Sequence, residues 1–238
     1  MATFTQAQRS LSLTSPLGED VLLLLGFSGT ESISRLFSYQ LELASENDSI
    51  AAKDIVGQSV TWSVNHVDKE PRYFNGFVSR FVAGALNQHG LRTYRAEVVP
   101  WAWFLTRTTD CRIFQNQATP DIIQAVFGAY GFSDYEVNLG SYPKREYCVQ
   151  YRETAFNFIS RLMEREGIFY SFRHEDGKRT LVLADSKASY RDVPESPVQY
   201  FSGSLAPTTS SAGSGTTSSA RASGRRPATT SRCPAPAS

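Results

Sequence analysis

The chain has 238 residues, 41% of them apolar, and a formal net charge of +1. This length and apolar content suffice for one or two buried cores. The charge is unevenly divided, because residues 203–238 contain four arginines and no Asp, Glu or Lys. Residues 1–202 therefore contain 20 Lys and Arg and 23 Asp and Glu, which gives a net charge of about −3. This charge does not indicate the basic surface that is typical of nucleic-acid binding.

The N-terminal region shows neither a membrane segment nor a secretory signal. The apolar run Val21–Leu25 is much shorter than the ~20 residues that span a bilayer, and Glu19 and Asp20 precede it directly. Residues 1–10 lack the basic start and apolar stretch of a signal peptide. We therefore expect synthesis and assembly in the cytoplasm, with no transmembrane segment.

Up to about residue 105 the hydrophobic pattern has period two, which is typical of β-strands. In Val60–Val64 the side chains alternate, and turn-forming residues 68–71 separate this segment from the next apolar run. Consecutive strands without intervening helices predict an antiparallel barrel or sandwich. The predicted strands are Phe4–Leu13, Val21–Phe27, Phe37–Leu43, Val60–His66, Arg72–Val82 and Leu91–Phe104.

A first helix is predicted over about 120–130. Thr119 is a candidate N-cap, Pro120 suits the first helical position, and Asp121 suits the positive end of the helix. Gly131 is placed to end the helix in a left-handed conformation. The apolar stripe between them consists of Ile122, Ile123, Val126, Phe127 and Tyr130.

A second helix over about 153–166 and a hairpin over 168–185 are predicted after the strand-like segment Glu146–Tyr151. Gly167 is placed to end this helix. Beyond it, apolar and polar side chains alternate on both sides of Asp176-Gly177, a dipeptide that favours a type I′ turn. The stripe of the second helix consists of Ala155, Phe158, Ile159, Leu162 and Met163.

These patterns predict an α+β, mainly β fold in three parts. Residues 1–105 are expected to form an antiparallel β-barrel-like tube domain, and residues 106–202 a small α+β module. Residues 203–238 are rich in Ser, Thr, Ala, Gly and Pro and contain no aromatic residue. Such a segment does not bury enough apolar surface to offset the entropy of ordering, so we expect a disordered tail.

Several segments of the chain resemble one protein family. They are SISRLFSYQLEL at 32–43, DIVGQ at 54–58, PWAWFL at 100–105, CRIFQN at 111–116 and the continuous stretch 145–185. They are similar to the N-terminal region of VgrG, the tip (spike) protein of bacterial type VI secretion systems, and to the wider group of phage late-control D and tail-hub proteins. The resemblance runs from about Arg9 to about Phe201. Because none of these segments is a catalytic signature, it implies a role in assembly.

The resemblance also implies partners. Members of the family form homotrimers, in which two barrel domains per subunit make a pseudo-six-fold ring on the hexameric Hcp tube. They carry effector or adaptor proteins and are exported through the secretion system into the medium or a target cell. In relatives a second barrel, an OB-fold and a β-helical needle follow where this sequence becomes low in complexity. We therefore expect a truncated chain that does not work as a tip alone, with a stand-alone binding or adaptor module as the alternative.

The histidines and cysteines do not indicate a reactive centre. None of them has the spacing of a metal site, and the cysteines have no disulfide-framework spacing. Cys148 lies in an extended segment rather than at a helix N-terminus, which favours a buried thiol over a nucleophile. The residues considered are His66, His89, His174, Cys111, Cys148 and Cys233.

An envelope hydrolase is the least favoured hypothesis. Glycoside hydrolysis needs two carboxyl groups about 5 to 9.5 Å apart in one cleft. Glu164 and Glu166 lie two residues apart on the predicted helix and point in different directions, and Glu153 suits the first helical turn as a partner of the dipole. We therefore predict no enzymatic activity and assign no catalytic, cofactor-binding or metal-binding residue.

The composition of residues 203–238 generates the first testable prediction. Limited trypsin digestion should cut at Arg221, Arg225 and Arg232 well before Arg161 or Arg165, because proteases cleave unstructured segments first. Cleavage is followed by mass spectrometry of the native protein over time. Equal protection of both groups of sites would show that the tail is packed.

Overall fold

A computed structural model describes residues 4–65 and 70–190, and within these ranges the chain forms eleven strands and two α-helices. The strands are β1 (Leu11–Thr14), β2 (Leu23–Thr30), β3 (Ser38–Ser45), β4 (Ser59–Val64), β5 (Arg72–Leu86), β6 (Arg92–Val99), β7 (Thr109–Ala118), β8 (Tyr135–Asn138), β9 (Lys144–Thr154), β10 (Phe169–Glu175) and β11 (Lys178–Ala184). The helices are α1 (Thr119–Ala129) and α2 (Ala155–Glu166). The predicted tail at 203–238 and the strand end at His66 lie outside the described residues.

The first six strands form one antiparallel sheet in the order β1-β4-β5-β6-β3-β2. All five neighbouring pairs are antiparallel, so the sheet is a barrel-like wall rather than a parallel α/β sheet. The sheet is nearly closed, because its two edge strands, β1 and β2, approach each other. The predicted antiparallel β-barrel-like fold is confirmed.

A glutamine side chain connects the two edges of this sheet. The Gln6 amide nitrogen donates to the Leu13 carbonyl at 3.2 Å, and its oxygen accepts from the Leu13 N–H at 2.8 Å and the Leu24 N–H at 3.4 Å. Leu13 belongs to β1 and Leu24 to β2. Gln6 is itself buried. It therefore takes the place of a backbone ladder between the two edges.

The inward face of the sheet is apolar because its strands alternate with period two. Leu41 and Leu43 in β3 and Ala96 and Val98 in β6 are all buried, whereas the residues on either side of Leu41 and of Ala96 are more exposed. Trp62 adds the largest side chain, and its fully buried ring stacks with the ring of Phe74 at 5.5 Å. This face forms the centre of the core.

Strands β7 and β9 pair as a separate two-stranded ribbon that packs on α2. On its inner face the Phe114 ring stacks on Phe158 at 5.6 Å. Sequence analysis did not assign β7 or β8. In β7 the period-two signal is blurred, because Ile113 faces solvent while Phe114 faces the core, so both faces carry an apolar residue.

Helix α1 begins one residue earlier than predicted. Its N-cap is Ala118 and not Thr119, and the Asp121 carboxylate accepts from the Ala118 N–H at 3.3 Å. Thr119 is buried, and its hydroxyl accepts from the Arg145 Nε at 3.0 Å, so it is not available as a cap. At the other end Gly131 has φ 74°, as predicted.

Helix α2 matches its predicted stripe, since all five stripe residues are buried. The Thr154 hydroxyl caps it by accepting from the Asn157 N–H at 3.1 Å, and Gly167 ends it with φ 73°, as predicted. The start at 153 was wrong, because Glu153 still belongs to β9 and precedes the cap. Glu153 therefore does not lie in the first turn of the helix.

The predicted hairpin is present as β10 and β11, and β11 also pairs with β8 in parallel. Ile168, Tyr170 and Phe172 are buried as the alternation predicts. The type I′ turn was wrong, because only Gly177 has a positive φ, 68°. A left-handed conformation at Asp176 would cost steric energy that glycine avoids, so the turn uses one left-handed residue rather than two.

The barrel-like sheet and the helices share one contiguous cluster of buried side chains. Trp101, before β7, meets Phe127 of α1 edge-on at 5.0 Å, and Phe37 meets Phe172 of β10 at the same distance. The predicted division into residues 1–105 and 106–202 stays a prediction. The shared core means that the two parts are stabilised by burial against each other.

The closure by Gln6 can be tested by truncating its side chain. Gln6→Ala should lower the free energy of unfolding by about 1–3 kcal/mol, because it leaves buried backbone groups of Leu13 and Leu24 without a partner. Gln8→Ala, at an exposed position two residues away, should change it by less than about 0.5 kcal/mol. Urea unfolding of both variants measures the difference. Equal values would show that the bridge contributes nothing to the closure.

Candidate interaction surfaces

The residues with candidate chemistry do not converge on one place. His89 is exposed in the turn between β5 and β6, whereas His174 lies in β10 and is buried. His66 and Cys233 lie outside the described residues. Within residues 4–65 and 70–190, no group of three or more His, Cys, Asp or Glu side chains has the arrangement of a metal site.

The three glutamates considered for hydrolysis are also separated. Glu153 binds Arg161 at 2.5 Å before α2 begins, and Glu166 binds Arg145 in its last turn. Glu153 precedes α2 and Glu166 ends it, and each carboxylate forms an ion pair with a different arginine. The hydrogen bond from Arg161 to Glu153 raises the pKa of Arg161. These two carboxylates therefore act as separate ion-pair partners.

A groove of about 390 Å³ lies between the loop after β2 and helix α2. Its walls include Ser34, Arg35, Asn157, Met163 and Glu164. Among the described residues, Glu164 is the only one with a carboxyl group that lines the groove, and no histidine or cysteine does so. The groove thus lacks the acid and base pair that hydrolysis needs.

One exposed apolar surface lies on the outer side of the β7–β9 ribbon. Ile113 is 61% exposed, Tyr147 58% and Tyr151 65%. Cys111 pairs with Tyr151 in the ladder and is exposed on the same side. We call these four residues the ribbon face. Large apolar side chains grouped on one side of a ribbon are typical of a surface that contacts another protein.

A second exposed apolar surface is the end of β5, residues 82–86, which we call the β5 tip. Val82 is 45% exposed and Leu86 59%. The strand bends here through a register shift, and a Cβ added at Gly84 would lie 2.4 Å from the Thr93 hydroxyl oxygen. Glycine at this position therefore permits the close approach of the two strands.

A buried polar cluster joins the six-stranded sheet to the hairpin of β10 and β11. The His174 Nδ1 accepts from the backbone N–H of Asn75 at 3.2 Å, and the Asn75 side chain donates to the Thr61 hydroxyl at 2.7 Å. Arg179 donates from Nη1 to the Asn75 side-chain oxygen and, at 3.4 Å, to the Ser59 hydroxyl. Burial lowers the pKa of Arg179 to about 10.

A loop contact lies beside this cluster. The Ser34 N–H donates to the Tyr170 carbonyl at 2.8 Å, and the Tyr170 N–H donates to the Ser34 hydroxyl at 3.4 Å. Tyr170 lies in β10, the edge strand of its three-stranded sheet. We call this contact and the buried polar cluster together the joint. Sequence analysis missed it, because the polar residues that form it are far apart in the chain.

Comparison with known proteins shows which family the chain belongs to. The model of the phage tail baseplate hub (GPD) family matches residues 30–232. The chain belongs to this family. It is 47% identical over 201 residues to the type VI secretion system spike protein VgrG1c of Pseudomonas aeruginosa, and 48% identical over 190 residues to VgrG1a of the same organism. The two matches cover 82% and 78% of this chain, but only 28% and 29% of the relatives.

A solved structure shows the same fold. It is the E. coli c3393 protein, described as a component of the type VI secretion system with structural similarity to the T4 bacteriophage tail proteins gp27 and gp5. The TM-score is 0.68 at 25% identity, over 76% of this chain and 51% of that one. The predicted resemblance to VgrG and tail-hub proteins is confirmed. The chain spans less than a third of the length of the VgrG relatives named above.

Two further findings bear on activity and location. The actin cross-linking toxin VgrG1 of Vibrio cholerae is 32% identical to this chain, and the match covers 77% of the chain and 18% of the toxin. Among the described residues, no helix has both the length and the apolar character needed to cross a bilayer.

The two described cysteines should differ in reactivity. Cys111 is exposed on the ribbon face, whereas Cys148 is only 8% exposed, so a thiol reagent should label Cys111 at least about tenfold faster in the native protein. Peptide mass mapping separates both from Cys233. Under denaturing, non-reducing conditions all three thiols should react, and recovery of a peptide that links Cys111 to Cys148 would contradict free thiols.

Proposed function

We propose that this chain is a structural component of a type VI secretion spike and corresponds to the N-terminal hub part of VgrG. The observation that carries the proposal is the 47% identity to VgrG1c over 82% of the chain. The TM-score of 0.68 to the E. coli c3393 protein supports the same assignment at the level of the fold. The role is assembly, and the barrel-like sheet is its structural basis.

Within a full-length VgrG chain, this part is proposed to belong to a homotrimer that stacks on an Hcp tube and carries effector or adaptor proteins. In it, residues 1–105 contribute a barrel to the ring and residues 106–202 form an α+β module. The ribbon face and the β5 tip support this proposal, because each exposes large apolar side chains of the kind that association buries. Assembly takes place in the cytoplasm, and export follows through the secretion system.

The proposed function includes no enzymatic step, and no residue is assigned to catalysis, a cofactor or a metal. The separate ion pairs of Glu153 and Glu166 with different arginines support this proposal. The groove also supports it, because one carboxyl group lines it among the described residues. The Pseudomonas relatives are named spike proteins. The Vibrio relative is named a toxin, and this chain matches 18% of it.

A chimera tests the proposal. Residues 9–201 of this chain replace the matching segment of VgrG1c in a Pseudomonas strain that depends on that spike protein. Light scattering of the purified chimera should give a trimer, and Hcp release should remain within about threefold of the parent, because nearly half of the positions are already identical. Immunoblotting of the culture medium measures release.

Two chimera variants control for folding. Met163→Asp places a charge in the core of α2 and should abolish both the trimer and Hcp release, whereas Asn157→Asp, exposed on the same helix, should abolish neither. Circular dichroism confirms which chimeras fold. A folded chimera that neither forms a trimer nor supports release would overturn the proposed function.

A further inference from the structure

The hairpin of β10 and β11 covers part of β5 that pairs with β4 on one side and has no β6 residue on the other. The ladder between β5 and β6 begins at Phe77, so the backbone of Asn75 has no β6 residue opposite it. Its N–H group donates instead to the His174 imidazole of β10. Asn75 is 1% exposed, so this hydrogen bond replaces both a strand and water. The hairpin therefore completes β5 through a side chain.

Arg179 brings a positive charge into the same contact. It is 4% exposed, and its guanidinium lies over the ring of Phe77 at 3.9 Å. Among the described residues its hydrogen-bond acceptors are the amide oxygen of Asn75 and the hydroxyl of Ser59, both of them neutral, and its Nε has none. A buried cation is thus held without a hydrogen-bonded carboxylate.

A buried charge of this kind destabilises the contact between the hairpin and the six-stranded sheet. A buried ion loses its hydration, and neutral acceptors restore only part of it, so replacing a buried ionic group by an apolar one of similar volume is often neutral or stabilising. Opening the joint would return the guanidinium to water. The opposing force is apolar, chiefly the edge-on contact of Phe37 with Phe172 at 5.0 Å.

The loop contact between Ser34 and Tyr170 also includes an unfavourable contribution. Ser34 holds φ 56°, a left-handed conformation that disfavours side chains other than glycine. It is kept there by its two hydrogen bonds to the backbone of Tyr170. Separation of the hairpin from the loop would release this strain. The loop contact and the buried polar cluster therefore each offset part of the apolar attraction between the hairpin and the six-stranded sheet.

We propose that the joint is a hinge: the hairpin of β10 and β11 separates from the six-stranded sheet while each sheet keeps its own ladder, and Arg179 sets how often this occurs. Each side has its own connections, because β10 and β11 pair over seven residues and the six-stranded sheet is bridged by Gln6. The hinge goes beyond the proposed function, since it concerns motion within one chain and not its assembly.

Amide hydrogen exchange measures how often the hinge opens. The N–H groups of Asn75 and Tyr170 are buried and donate across the joint, so they exchange when it opens. Amides bonded within the β4–β5 and β10–β11 ladders exchange only when those ladders break. Exchange is followed by NMR of the native chain in the range where it reports equilibrium opening, with and without low urea.

The hinge predicts that the two joint amides exchange at least tenfold faster than the ladder amides. Their exchange should also depend less steeply on urea than exchange of the ladder amides, because opening exposes only the surface between the hairpin and the sheet. Exchange of joint and ladder amides at one common rate would overturn the proposal, since it would mean that the joint opens only when the chain unfolds. This comparison needs no variant.

Two matched variants test the role of the charge. Arg179→Met should slow exchange of the Asn75 and Tyr170 amides at least tenfold by removing the buried cation. Arg173→Met, on the adjacent strand β10, removes a guanidinium that is 28% exposed and paired with Glu136 and Glu175, and should leave both rates within twofold. Faster exchange in Arg179→Met, or equal slowing in both variants, would overturn the role assigned to Arg179.

Discussion

The structure depends on how unpaired sheet edges are satisfied. Every strand edge exposes backbone donors and acceptors that need partners, and burying them unpaired is costly. This chain satisfies two edges with side chains and a third with a loop residue instead of strands. Gln6 bridges β1 and β2, His174 covers the open part of β5, and Ser34 binds the edge strand β10. A fold of short sheets is held together in this way by a few polar side chains.

Side-chain closure lets two separate sheets share one core. A continuous ladder would force the hairpin into the register of the six-stranded sheet, whereas a single imidazole does not impose that register. Apolar rings then pack between the sheets, as Phe37 does against Phe172 and Phe74 against His174. Burial supplies the attraction, and the polar side chains fix where the sheets meet.

Local features of the fold were predictable, and long-range polar contacts were not. The stripe of α2 and the end at Gly167 follow from spacing and glycine alone, so the sequence predicted both. The N-cap at Thr119 was wrong because the threonine hydroxyl binds Arg145, which lies 26 residues away and has no signal near the helix. Local capping rules do not include such a tertiary competitor.

The joint was unpredictable for the same reason. Asn75 and Arg179 are 104 residues apart, and the sequence around each one is typical of a polar residue in a half-buried strand. Their burial results from the packing of the hairpin on β5, which the local sequence does not predict. The family resemblance, in contrast, was predictable from the sequence. It rests on segments such as PWAWFL and on their order along the chain, and neither depends on knowing which residues are in contact.

The distribution of apolar surface agrees with a role in assembly rather than in chemistry. A site for a small molecule concentrates apolar lining in a concave pocket, with a few converging polar groups. Here exposed apolar side chains lie on strands at the surface, such as Tyr147 on the ribbon and Leu86 at the strand tip. The polar side chains that do converge, around Asn75, are buried and form hydrogen bonds to one another. Surfaces of this kind bind other surfaces, because a flat apolar face loses its contact with water only against a partner of similar extent.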